Sequence, residues 1–307
     1  MEQRIVSGPV QSEPGRRESF LRRMSPLGFA IFSLALIFVL YQGVGGVITF
    51  LLIRGKVTEA NVPFVRWTTV LGQVIFILVP TLWLAYRRHG NLITFLRLRF
   101  PEIRELLATM VGVFALQQIL QTYMIVQDSI PLPPDLQHIV DLLKSAIEEL
   151  YTLLVQANTP GEFLVVLFVA ALVPAIIEEL LFRGLVQRNL EFAAGGLRGA
   201  ILGGVIFGAY HLNPFGIVPL MILGIYLGYI VYRSENITLA MSAHFFNNFV
   251  ACTALYLKLD DNFVLLAPQG HPTISLGLAN MAVFTLVFLG ATLYFIHITS
   301  HEDEELS

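Results

Sequence analysis

The chain is poor in charge and almost without cysteine. Only 13% of its 307 residues are Asp, Glu, Lys or Arg, about half the share that a soluble globular domain carries. Its single cysteine, Cys252, forms no intrachain disulfide, and no Cys-x-x-Cys pair exists for zinc or redox work. Cys252 lies in a hydrophobic run, where it reads as a small buried filler in preference to a nucleophile. A formal net charge of −3 leaves no basic stripe to neutralise phosphates, which excludes a nucleic-acid partner. No internal repeat, low-complexity block or second domain is visible.

Apolar residues take the place of charge. They make up 55% of the chain, and the mean hydropathy is +0.71. This is the composition of an integral membrane protein. Crossing the hydrocarbon core takes about 20 apolar residues in a helix, and eight segments qualify: roughly 27–53, 67–86, 104–126, 162–182, 197–212, 215–232, 237–257 and 275–297. The fold class is therefore all-α, a polytopic transmembrane helical bundle of about eight spans within residues 26–299. Residues 1–25 mix five arginines with Pro9 and Pro14 and hold no apolar core, so they read as a disordered cytosolic tail with no cleaved signal peptide. Residues 300–307 form an acidic cytosolic tail.

Basic residues sort by side. With the N-terminal tail inside, that side gathers Arg4, Arg16, Arg17, Arg22 and Arg23, then Arg87, Arg88, Arg97, Arg99 and Arg104, then Arg183, Arg188, Arg198 and Arg233. The other side receives Arg54, Lys56, Arg66, Lys144 and Lys258. The positive-inside rule then places both termini in the cytosol, across a bacterial inner membrane or, in a eukaryote, the ER membrane. On the outer side, after Pro131-Leu132-Pro133-Pro134, apolar residues recur at helical spacing from Ile139 to Leu154. This predicts an amphipathic helix over 135–154 that either lies in the interface, caps the bundle, or simply connects two spans.

Against this apolar background five ionisable residues stand out: Glu178, Glu179, Arg183, His211 and His244. A charge at the centre of a bilayer costs roughly 2.5–3.5 kcal/mol on the gentlest scale, so such residues usually mark a site. Glu179 and Arg183 are four apart and share a helix face, whereas Glu178 points about a third of a turn away. One carboxylate is thus neutralised, and the other is free to take a proton from water. His244 and Asn248 are also four apart, offering an imidazole and an amide on one face, either as oxyanion donors or, for the imidazole, as a metal ligand. Asn247 neighbours the same face.

Three ordered motifs, Glu178-Glu179-x-x-x-Arg183, Phe207-x-x-x-His211 and His244-x-x-x-Asn248, resemble those of the CAAX prenyl protease 2 family and its bacterial relatives, the CPBP intramembrane proteases. The resemblance implies an intramembrane endopeptidase. By motif position it makes Glu178 and His211 the water activators, His244 and Asn248 the oxyanion stabilisers, and Glu179 with Arg183 the structural pair that orients them. It also implies a protein or peptide substrate, either prenylated at a Cys-a-a-X end or transmembrane. His-Glu-x-x-His, Gly-x-Gly-Asp and Gly-x-Ser-x-Gly, the marks of other intramembrane proteases and serine hydrolases, are missing.

Cofactor need stays open between none and a single zinc held by Glu178, His211 and His244. Asn248, a poor zinc ligand and a good oxyanion donor, favours none. Two further functions fit the same residues: a proton-coupled transporter using the glutamates and histidines as a relay, and a protease-like immunity or scaffold protein that does not cleave. One tension is geometric. On these span limits Glu178 is near the cytosolic end of its helix and His211 near the outer face, so convergence requires either re-entry of residues 184–200 or a tilted bundle.

Overall fold

The computed structural model describes residues 20–259 and 274–305, all helix and connecting turns without a strand. Most of the expected N-terminal tail and the segment before the last span fall outside those residues. The long helices are α1 (Pro26–Leu52), α2 (Glu59–His89), α3 (Ile103–Asp128), α4 (Pro134–Val155), α5 (Pro160–Ala194), α6 (Gly196–Tyr210), α7 (Ile217–Ser234), α8 (Ile237–Tyr256) and α9 (Ile274–Glu305). Phe20–Arg23 and Leu92–Phe95 add single turns.

Six helices, α1, α2, α3, α5, α7 and α9, are long and apolar enough to cross a membrane. The expected count of about eight includes two that fall short for identifiable reasons. At 15 residues α6 is too short. At 20 residues α8 is long enough, but His244, Asn247 and Asn248 make it polar. The protein is a multi-pass membrane protein, and its outward face suits lipid. Leu51, Leu107, Leu286 and Leu293 are each more than half exposed, an apolar surface that water would not tolerate at this extent.

Packing divides around α6. On one side Phe29, Ile37, Leu84, Leu181 and Leu185 join α1, α2 and α5, and on the other Val113, Leu227, Ile230 and Leu239 join α3, α7 and α8. Between these clusters α6 lies close to both α5 and α7 because its contact positions carry no side chain. A Cβ on Gly199 would sit 2.4 Å from the Glu191 nitrogen, and one on Gly204 would sit 2.3 Å from the Ile225 nitrogen. Small residues at both faces let three backbones touch.

The fourth span corrects the sequence reading. Expected to end near 182, it continues as helix to Ala194 and turns at Gly195, whose φ of 92° favours glycine. The helix runs on because its polar residues are paired and need no water. Gln187 Nε2 donates to Glu191 Oε1 (2.8 Å) and to the Gly228 carbonyl (2.9 Å). Arg97, from the loop before α3, pairs with Glu191 and with Glu235. Burial holds the Arg97 guanidinium down to about 10, which still leaves it charged at neutral pH. At the C-terminus α9 runs to Glu305.

α4 matches the amphipathic helix expected over 135–154. Its C-terminal end is held by Arg66, which donates from Nε to the Leu154 carbonyl (2.8 Å) and from Nη2 to the Gln156 carbonyl (2.6 Å).

Candidate active site

The α5–α6 hairpin sets the depth of the site. Contacts run symmetrically about Gly195: Gly199 lies against Glu191 and Gly203 against Gln187. One turn further, Phe207 lies against Arg183, whose guanidinium stands 4.4 Å over the ring. The next turn brings His211 level with Glu178 and Glu179. His211 Nε2 stands 3.6 Å from Glu178 Oε2. Residues 184–194 continue the fourth helix and residues 196–210 return beside it, which is what levels the two residues. The depth conflict came from ending the fourth span eleven or twelve residues early.

Glu178 and Glu179 have separate surroundings, as helix geometry requires of adjacent residues. Glu179 is fully buried, and its Oε1 accepts from Arg183 Nη1 (2.8 Å) and from His244 Nδ1 (2.9 Å). Arg183 Nη2 reaches the Gly224 carbonyl at 3.1 Å. Truncating one member of a buried ion pair strands the other, at about 3–5 kcal/mol. Glu178 Oε2, by contrast, has no hydrogen-bond partner in the protein, since 3.6 Å from an imidazole nitrogen is beyond hydrogen-bond reach. A water can sit beside the two groups and bond both.

Each imidazole is oriented through Nδ1. The Phe207 carbonyl can only accept, so His211 Nδ1 donates to it (2.7 Å) and Nε2 is turned toward Glu178. In His244 the Nδ1 bond to Glu179 leaves Nε2 available.

Asn248 is placed by a proline. In a regular helix the Ala170 carbonyl would accept from the residue four further on, but that residue is Pro174, which has no N–H. Leu167–Leu172 relaxes into a π-helical turn just before it. Asn248 Nδ2 donates to the Ala170 carbonyl at 3.2 Å, and Asn248 Oδ1 accepts from Asn247 Nδ2 at 3.2 Å. The second hydrogen on Asn248 Nδ2 remains available.

These groups share a cavity of about 260 Å³, lined by Tyr151, Ala170, Pro174, Glu178, Phe207, His211, Leu220, Leu223, His244, Asn247, Asn248, Ala251 and Cys252. Of the residues singled out from sequence, Glu178, His211, His244 and Asn248 reach the cavity, while Glu179 and Arg183 lie behind it. Sequence reasoning gave no role to Phe207, to Pro174 or to Tyr151 of α4. Phe207 stood within the quoted motif, and its ring meets Arg183, His211 and His244. Pro174, four residues after Ala170, was a readable signal for an orphaned carbonyl.

A catalytic zinc would need three protein ligands at about 2.0–2.2 Å. Both histidines keep Nε2 free, as a histidine ligand held through Nδ1 would, yet among the described residues no three His, Cys, Asp or Glu side chains converge in a metal-binding group. The donors as arranged do not fit a His₂Glu zinc site, and no step below passes through one.

Residues 160–250 match the family model described as Rce1-like, type II CAAX prenyl endopeptidase Rce1-like. Over that stretch the chain is similar to the Rce1-like family. The match covers less than a third of the 307 residues, yet it contains Glu178, Glu179, Arg183, His211, His244 and Asn248. The Rce1-like segment runs from the start of α5 through most of α8, the helices that wall the cavity, and the family is one of peptidases. Searches of curated proteins and of solved structures each gave no significant match.

Proposed function

We propose that the protein is an intramembrane endopeptidase that hydrolyses a peptide bond held in the cavity, using Glu178 and His211 to activate water. The observation that carries this reading is the face-to-face pair of Glu178 Oε2 and His211 Nε2, with His244 and Asn248 on the same cavity wall. A water bonded to both gives up its proton as its oxygen attacks the carbonyl carbon. The pair is suited to accept that proton and return it to the leaving amine. Charge developing on the carbonyl oxygen would be met by Asn248 Nδ2 and His244 Nε2. Because Nδ1 of His244 is already committed to Glu179, Nε2 can donate only when His244 is an imidazolium. Glu179 and Arg183 act as positioning residues.

The resemblance of the motif-bearing segment supports a protein or peptide substrate that is lipidated or membrane-embedded. The proposed topology has both termini in the cytosol, in keeping with the positive charge near Arg22, Arg87 and Arg233.

The test uses the purified full chain with a prenylated Cys-a-a-X reporter and a library of membrane-segment peptides. Wild type is expected to cleave members of the set, and Glu178→Gln, His211→Ala and His244→Ala are each expected to lose at least about 100-fold in kcat/KM. Cleavage of nothing by wild type, or survival of cleavage in all three variants, would sink the peptidase reading. Protein stripped by a strong chelator is expected to stay fully active; loss on stripping with recovery on added zinc would overturn the metal-free route.

A further inference from the structure

The walls of the cavity all lead one way. On α5, which runs from the α4 end of the bundle to the Gly195 turn, the lining residues Ala170, Pro174 and Glu178 lie on the α4 side of Arg183. On α7 they are Leu220 and Leu223, close to its start at Ile217, and on α8 they continue from His244 to Cys252, toward its end at Tyr256. Tyr151 of α4 completes the wall, and its residue is about half exposed at 52%. In the other direction lie Glu179, Arg183 and Gln187, each no more than 1% exposed and bonded to one another or to carbonyls of α7.

That closed direction is also the basic end. There Arg22 and Arg88 bond the carbonyls of Arg87 and Met24, Arg97 and Arg188 join Glu191 and Glu235, and Arg233 meets Ser300. These contacts bring the start of α1, the ends of α2, α7 and α9 and the α5–α6 turn to one side. At the α4 end the described basic residues are few, and two of them are engaged: Arg66 holds the end of α4 and Lys144 pairs with Asp128. An asymmetry of this kind orients a bundle with its basic end in the cytosol.

We infer that the cavity opens on the extracytosolic face, and that its substrates are membrane-proximal peptide segments presented there, not carboxyl tails lipidated in the cytosol. This rests on the peptidase reading above, and its topology half stands without it. A chain entering from the outer interface passes Tyr151 and the apolar walls of α7 and α8 before reaching Glu178. A cytosolic tail would have to breach the buried Glu179–Arg183–Gln187 layer.

The experiment uses cells expressing the full chain in a Cys252→Ser background, with a single cysteine at either Tyr151→Cys or Ala193→Cys. Ala193 is exposed near the Gly195 turn. A membrane-impermeant maleimide added to intact spheroplasts is expected to label Tyr151→Cys, and to label Ala193→Cys only after permeabilisation. The reverse pattern overturns the proposal. In parallel, otherwise active full chain is expressed with two single-span reporters carrying one cleavage-site library next to the membrane, outside in one and inside in the other. Cutting of the outer reporter alone, abolished by Glu178→Gln, is the expected result. Cutting of the inner reporter alone overturns the substrate assignment while the peptidase reading stands. Cutting of neither removes the peptidase reading and the substrate with it, and the maleimide result still decides the side on which the cavity opens.

Discussion

Glu179 Oε1 accepts from both Arg183 and His244, so one buried carboxylate neutralises a guanidinium and aims an imidazole. Removing the charge partner should be felt twice. Arg183→Ala leaves the buried Glu179 without its guanidinium partner, and the expected cost is about 3–5 kcal/mol of stability, seen as a lower melting temperature in detergent, together with loss of cleavage. Glu179→Gln keeps the shape and should retain more stability than Arg183→Ala while still lowering kcat, because an amide no longer supports the imidazolium of His244. The pH profile follows from the roles. Glu178 must be ionised to take a proton, so the rate rises with pH through its titration.

Helices place these residues, and two local features do so most directly. The Ala170 carbonyl, left without a helical donor by Pro174, holds Asn248. Pro174→Ala restores an N–H at that position and is expected to lower kcat by up to about 10-fold, the weight of one hydrogen bond, with KM little changed. In an Asn248→Ala background the same substitution should have no further effect, and a double-mutant cycle on kcat reads that coupling. The α5–α6–α7 contact is the second feature. Valine at Gly199 or Gly204 would meet backbone within 2.4 Å, and a cost of about 3 kcal/mol or more is expected, measured as lost folded yield by size-exclusion chromatography.

Much of this level was legible in the sequence. The helical class, the amphipathic α4 and the separation of Glu178 from Glu179 follow from periodicity, which depends only on neighbours along the chain. The length of α5 did not, because Arg183, Gln187, Arg188 and Glu191 look like a helix end to any hydropathy window. They stay in the helix because Gly224, Gly228, Arg97 and Glu235 answer them from elsewhere in the fold. Gly195-Gly196, midway between Glu179 and His211, was the signal that would have set the depth of His211. The Asn248–Ala170 bond required knowing that α8 packs beside the π-helical turn of α5.

At the scale of the whole molecule, a polar layer near the basic end closes a bundle whose cavity leads toward the other end. Arg97, reaching from the loop before α3 to Glu191 and Glu235, ties that loop to the α5–α6 and α7–α8 turns. The lipid-facing leucines and the buried carboxylates belong to one design: the bilayer accepts the apolar outside, and the buried Glu179 and Glu191 are each paired with arginine. Glu178 is among the residues with an unpartnered buried oxygen, and it lines the cavity. The most direct measurement is the single-turnover cleavage rate of a membrane-segment peptide by wild type and by Glu178→Gln, whose amide keeps the size of the carboxylate. A loss of at least about 100-fold at an unchanged melting temperature is expected, and an equal rate in the two folded proteins would contradict Glu178 as the group that activates water.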